Sequence, residues 1–136
     1  MKYNFEILEK PIGKQRPRYS AKTKRMYTPT ETRSFEDKVQ WYFTRKYSIA
    51  TEPSTKPFKA KIIAVFRPPQ SLSKRKKEEL LFGVNYTKKT DADNIAKIVL
   101  DSLNGLAYKD DSQVTLLSVF KYYGEEDKVV VELEEI

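Results

Sequence analysis

The stretch 90–113, Thr-Asp-Ala-Asp-Asn-Ile-Ala-Lys-Ile-Val-Leu-Asp-Ser-Leu-Asn-Gly-Leu-Ala-Tyr-Lys-Asp-Asp-Ser-Gln, constrains the fold more tightly than any other part of this chain. Ile95, Ile98, Val99 and Leu103 recur at spacings of three and four. Its middle is therefore an amphipathic helix whose apolar stripe needs a partner surface. Asp91 stands at the helix start, where unpaired backbone N–H groups favour a negative oxygen. Asn104-Gly105 is a stop, because glycine takes the left-handed conformation that closes a helix end. Asp93, Lys97 and Asp101 are spaced by four and share one face. Asp110 and Asp111 follow in the return, so the helix lies between two acidic clusters.

Taken singly, Asp91 is a cap and Asp101 a solvated helix residue. Several carboxylates delivered from two sides make an oxygen-only pocket instead. Such a pocket suits a hard divalent cation that keeps several of its waters, Mg²⁺ with Mn²⁺ as a substitute. Lys97, one turn into the helix, faces the same way and can reach a phosphate or a metal-bound water. The chain contains no cysteine and no histidine. Disulfides, zinc–thiolate sites, thiol nucleophiles and imidazole bases are therefore excluded. Hydrolysis would have to use metal-activated water held by carboxylates.

The pattern Asp91-Ala92-Asp93-Asn94-Ile95-Ala96-Lys97, then Asp101-Ser102-Leu103, then Asp110-Asp111-Ser112-Gln113 resembles that of the RusA-like Holliday-junction resolvases, small phage and bacterial endonucleases. Lys14-Gln15-Arg16-Pro17-Arg18 and Tyr27-Thr28-Pro29 are similar to that family's amino-terminal segment, so the likeness covers nearly the whole chain. The resemblance implies a RusA-like fold and a homodimer that nicks two strands of a four-way DNA junction using Mg²⁺, in recombination and repair. It implies a catalytic set of Asp91, Asp93, Lys97 and Asp111, with Asp91, Asp93, Asp111 and Asp110 around the metal. The choice of Asp111 over Asp110 as main ligand rests on counting back from Gln113. A phage or prophage origin, inside a bacterial host cell, is also implied.

Charge distribution agrees with a nucleic-acid partner. The chain has net charge +7, but residues 1–90 hold 22 Lys and Arg against 8 Asp and Glu, and residues 91–136 hold 4 against 11. Basic residues hold a phosphate backbone by displacing counterions, while carboxylates concentrate a cation where a bond is to break. A merely solvated basic surface has the same composition. The DNA contacts expected are Lys14, Arg16, Arg18, Lys22, Lys24 and Arg25 in an extended, poorly ordered arm over residues 10–27. Lys74, Arg75, Lys76 and Lys77, and Lys88 and Lys89 beside Asp91, extend this surface.

Along the chain, alternation over residues 2–8 marks a strand with Tyr3, Phe5 and Ile7 on one face. Thr28-Pro29-Thr30-Glu31 marks a helix start with threonine as cap and proline first, and Phe35, Val39, Tyr42 and Phe43 mark its buried stripe to about Tyr47. Trp41 beside that stripe is expected in the core, with a dimer contact as the alternative. A polar connection over 51–57 leads to a strand over 58–66, with Phe58, Ala60, Ile62, Ala64 and Phe66 inward, ended by Arg67-Pro68-Pro69. A short helix is expected over 73–82. Strands over 114–122 and 128–135 meet around Gly124. The order β-α-β-(α)-α-β-β predicts a single α+β domain, a mixed sheet with helices packed on one side.

No run approaches about 18 apolar residues, nothing resembles a signal peptide, and no glycine-rich phosphate loop appears, so a cytoplasmic protein without membrane span or nucleotide cofactor is expected. Two other readings keep part of this pattern: a branched-DNA-binding protein whose acids only cap and buttress the fold, and a nuclease for flap DNA or RNA.

Overall fold

Alternating apolar and polar residues make one face of a sheet stick to helices, and the structure is built on that division. The computed structural model describes residues 1–47 and 52–136. Its elements are β1 (Lys2–Ile7), β2 (Arg18–Ser20), β3 (Arg25–Tyr27), α1 (Thr30–Lys46), β4 (Phe58–Phe66), α2 (Lys74–Leu80), α3 (Ala92–Ser102), a 3-10 turn (Asp111–Gln113), β5 (Val114–Tyr123) and β6 (Lys128–Glu135). Four strands form a mixed sheet in the order β1-β6-β4-β5, and β2 and β3 form a separate hairpin. β4 and β5 are paired in parallel, and the other neighbouring strands of the sheet are antiparallel. A parallel pair needs a long crossover, and that crossover contains α2, α3 and the acidic turn. The protein is an α+β domain.

Phe58, Ala60, Ile62, Ala64 and Phe66 of β4 are buried, as are Val129, Val131 and Leu133 of β6 and Phe5 and Ile7 of β1. Against them pack Phe35, Val39 and Phe43 of α1 and Ile95, Ile98 and Val99 of α3. The opposite face is mixed, with ion pairs such as Lys61–Glu132 at 3.9 Å and Lys128–Glu6 at 3.3 Å beside the half-buried Ile63, Val65 and Val130. β5 is an edge strand, and residues 84–86 cover only its far end, through Tyr86 N–H to Lys121 C=O and Tyr123 N–H to Val84 C=O.

Four expectations need correction or limitation. α1 starts one residue later than its apparent cap: Pro29 occupies the cap position in extended conformation and no side chain caps the helix. Its first turn is tied elsewhere, Thr32 exchanging hydrogen bonds with Gln15. Trp41 is 51% exposed, because it falls on the flank of the stripe, where the Arg45 guanidinium covers its ring at 4.8 Å. The basic arm is not one loose segment. Residues 18–27 are a hairpin turning through Lys24 in left-handed conformation, and residues 13–15 are docked on the helices. Finally, Thr51, the start of the expected polar connection, lies outside the described residues.

The docking of that segment depends on glycine. A Cβ on Gly13 would lie 2.8 Å from Asn94 Cβ and 3.2 Å from Thr90 Cγ2, and the next residue, Lys14, donates its N–H to Asn94 C=O at 2.9 Å. Gly13→Ala should therefore lower stability by about 1–3 kcal/mol through overpacking. Urea unfolding checks this, and an unchanged midpoint would refute the close approach.

Candidate active site

α3 presents its acids because its other side has nowhere to go but inward. Ile95, Ala96, Ile98, Val99 and Leu100 are buried, whereas Asp91, Asp93 and Lys97 are exposed and Asp101 half-buried. Asp91 is the residue before the first turn, yet its carboxylate makes no cap hydrogen bond. Among the described residues neither Asp91 nor Asp93 makes a side-chain hydrogen bond or ion pair, so both carboxylates stay available to a ligand.

The return after α3 places the second cluster. Gly105, at φ +78°, turns the chain, and Tyr108, wholly buried, donates its hydroxyl to Leu100 C=O at 2.7 Å. Burial pushes the Tyr108 phenol far up, and Asp111, Asp101 and Asp110 add to the effect. Asp110 and Gln113 then form a reciprocal capping box around the 3-10 turn. The Asp110 carboxylate accepts from Ser112 N–H at 3.0 Å; the Ser112 side chain first, and this N–H after it, hold the carboxylate below its ordinary range. Gln113 Oε1 accepts from the N–H groups of Lys109 and Asp110, and its Nε2 donates to the carbonyls of Ser54 and Lys56. Gln113 thus ties the turn to the chain entering β4.

That turn brings Asp111 to Asp101. The neighbouring Asp101 carboxyl pushes Asp111 above the usual carboxylate value, with desolvation and the Asp110 charge adding and Lys97 opposing. Asp101 also pairs with Lys97 Nζ at 3.9 Å and with Lys14 Nζ at 3.6 Å. Lys14 in turn binds Glu36 of α1 at 3.1 Å. Segments distant in sequence therefore meet in an alternating run of ion pairs, Glu36–Lys14–Asp101–Lys97, with Asp111 set against Asp101.

The expected metal residues are not gathered into one cage. Among the described residues no three carboxylates converge closely enough to hold an ion between them. Asp110 serves as a cap, Asp111 faces Asp101, and Asp91 and Asp93 stand at the other end of α3. The donor set still suits a hard cation. It is all oxygen, and a carboxylate raised by a like-charged neighbour gains from an added positive charge.

Among the expected DNA contacts, Arg16, Arg18, Lys22, Lys24, Arg25, Lys74, Arg75, Lys76, Lys88 and Lys89 are exposed. Lys77 is half-buried, and Arg75 leans on Glu79 at 3.5 Å. Lys14 differs from the rest. Its side chain is only 19% exposed and is committed to Glu36 and Asp101. Glu36 was not legible as a site residue, since in sequence it is one acid among several on a helix. No helix among the described residues is long and apolar enough to cross a membrane.

Comparison with known proteins places this arrangement. The family model for endodeoxyribonuclease RusA matches residues 9–134, a span that includes α3, the acidic turn and every charge in the chain of pairs. The protein belongs to the RusA family. It is also similar to the uncharacterized protein YqaN of Bacillus subtilis (strain 168), 37% identical over 140 residues that cover 97% of this chain and 95% of YqaN. In this RusA-family member the final glutamine of Asp110-Asp111-Ser112-Gln113 has a structural reason, since its side chain links four backbone groups. Gln113→Ala should cost about 1–3 kcal/mol by unpairing them. Urea unfolding measures it, and a loss near zero would mean water replaces the amide fully.

Proposed function

We propose that the protein is a Mg²⁺-dependent endodeoxyribonuclease that resolves four-way DNA junctions by paired nicks. One observation carries the reading: in a RusA-family chain, the acidic turn holds Asp111 against Asp101 of α3, beside Lys97. Lys14 and Lys97 offset the charge of Asp101, and a bound cation would offset that of Asp111 as well. Asp91 and Asp93 at the start of α3 are the residues that would hold the ion; Asp111, which the family motif adds to them, faces Asp101 near the other end of the helix, where Asp110 fixes the turn. When bound, such an ion supplies a water acidic enough to attack near neutral pH and steadies charge on the phosphate.

The chain's own groups do the rest. Asp101 holds Lys97 and faces Asp111, and Lys14, itself paired with Glu36, holds Asp101. Lys97 keeps its ammonium exposed beside these acids, placed to neutralise charge developing on a phosphate oxygen. The exposed hairpin arginines and lysines, the basic residues of α2, and Lys88 and Lys89 would grip backbone phosphates without reading sequence. On this reading Asp93→Asn lowers the single-turnover cutting rate of a four-way junction by about 100-fold or more. Junction binding in EDTA stays as tight as in the unmodified protein. Full nicking by this variant in Mg²⁺ sinks the ligand role of Asp93. Binding with no product under any metal would favour a non-catalytic branched-DNA protein, and preferred cutting of flap DNA or RNA would change the substrate.

We also propose that the working form is a homodimer joined along β5, since two symmetric cuts call for a two-fold protein. Val114 to Phe120 carry no charge although the chain is strongly basic, and the outer edge of these residues is not taken by another strand among the described residues. Leu116, Leu117 and Phe120 are 56%, 48% and 38% exposed. The opposite sheet edge is treated differently. There Tyr47 OH both accepts from Asn4 N–H and donates to Asn4 C=O, beside the Lys46 ammonium. An open, neutral, apolar edge pairs with its own copy. Leu117→Lys should convert the dimer to monomer in sedimentation experiments; an unmodified protein that is already monomeric on DNA contradicts the proposal.

A further inference from the structure

Thr90, the residue that delivers the chain to Asp91, has φ +140°. A β-branched residue holds such a conformation only when its surroundings impose it. On one side Thr90 meets Gly13, whose missing side chain leaves room for its methyl group. On the other side lies Lys121 of β5, whose Nζ donates to Thr90 C=O at 2.8 Å and to Lys88 C=O at 3.3 Å. The Lys121 ammonium also lies 5.5 Å from the centre of the Tyr86 ring. That ring is stacked on Phe66 at 3.7 Å, and the Tyr86 N–H is bonded to the Lys121 carbonyl. None of the ion pairs among the described residues includes Lys121. Lys121 is thus a half-buried cation in a basic protein, committed to two carbonyl dipoles.

We infer that Lys121 is a positioning residue: its ammonium, anchored on Thr90 C=O, sets the peptide plane that aims the Asp91 carboxylate. The reason lies in what Asp91 lacks. Asp110 is oriented by its own cap hydrogen bonds, but Asp91 makes none. Its direction is therefore inherited from the backbone before it, and that backbone is the strained Thr90 unit. The Thr90 carbonyl belongs to the same peptide group as the Asp91 N–H, so a charge holding one fixes the plane of the other. Partners that orient a ligand in this way commonly affect metal binding as strongly as some ligands do.

The inference rests on Asp91 being a ligand, and the test separates the two. Mn²⁺ binding, by electron paramagnetic resonance, and single-turnover cutting of a four-way junction are measured for the unmodified protein, Lys121→Met and Lys121→Arg. Lys121→Met should weaken Mn²⁺ binding and slow cutting by about tenfold or more, with excess metal restoring part of the rate. Lys121→Arg, whose guanidinium also donates to carbonyls, should stay within about threefold. Thr90→Gly removes the steric cost of the positive φ, so Lys121→Met made on that background should lose less than it does alone. Equal Mn²⁺ affinity and equal rate in Lys121→Met overturn the inference. So does a loss confined to junction affinity, with a salt dependence shallower by about one charge, which marks a phosphate contact. Unmodified protein that binds Mn²⁺ but cuts nothing overturns the nuclease reading while the Mn²⁺ series still decides for Lys121. A protein that binds no Mn²⁺ overturns both.

Discussion

The burial of one side of α3 is the constraint on which the rest depends. Ile95, Ile98 and Val99 are fully buried against the sheet, and at about 1.5–3 kcal/mol for each such side chain the helix has no rotational freedom left. Once that side is inward, Asp93, Lys97 and Asp101 must point outward. Every polar feature of the site is then placed relative to a rigid rod, which is the condition for holding charged groups at chosen separations.

Two chain segments press against that rod from opposite sides, each through a backbone device. On one side Gly13 allows the amino-terminal segment to touch Asn94, and Lys14 arrives with its charge directed at Asp101. On the other, the buried Tyr108 and the Gln113 capping box hold a short turn rigid enough to keep Asp111 beside Asp101. Both contacts oppose electrostatic or steric preference, one crowding carboxylates and the other crowding backbone. Structures keep such costs at functional sites, where a partner relieves them.

The division of labour among the basic residues follows from depth. Lys14 is drawn into the site by two acids and acts as a spacer between α1 and α3. Lys121 is drawn into the strained loop by carbonyls. The lysines and arginines of the hairpin remain in water, where a long flexible side chain meets a phosphate at little desolvation cost. Positive charge therefore has two uses here, and only solvent exposure separates them.

Much of this was legible in the residues. Period-two alternation located β1, β4 and β6 with their inward residues, because a half-buried strand leaves no other pattern, and spacings of three and four located α3 and its outward acids. The motif residues Asp91 to Lys97 and Asp110 to Gln113 were visible as a set. What the sequence could not say was which acids stand together, because contacts between residues far apart in the chain depend on how the crossover folds back. The pairing of Asp111 with Asp101, the entry of Lys14 with Glu36, the exposure of Trp41 and the docking of the arm were decided in three dimensions. Local pattern records which side of an element faces apolar surroundings; only tertiary packing selects the neighbour a charge will meet.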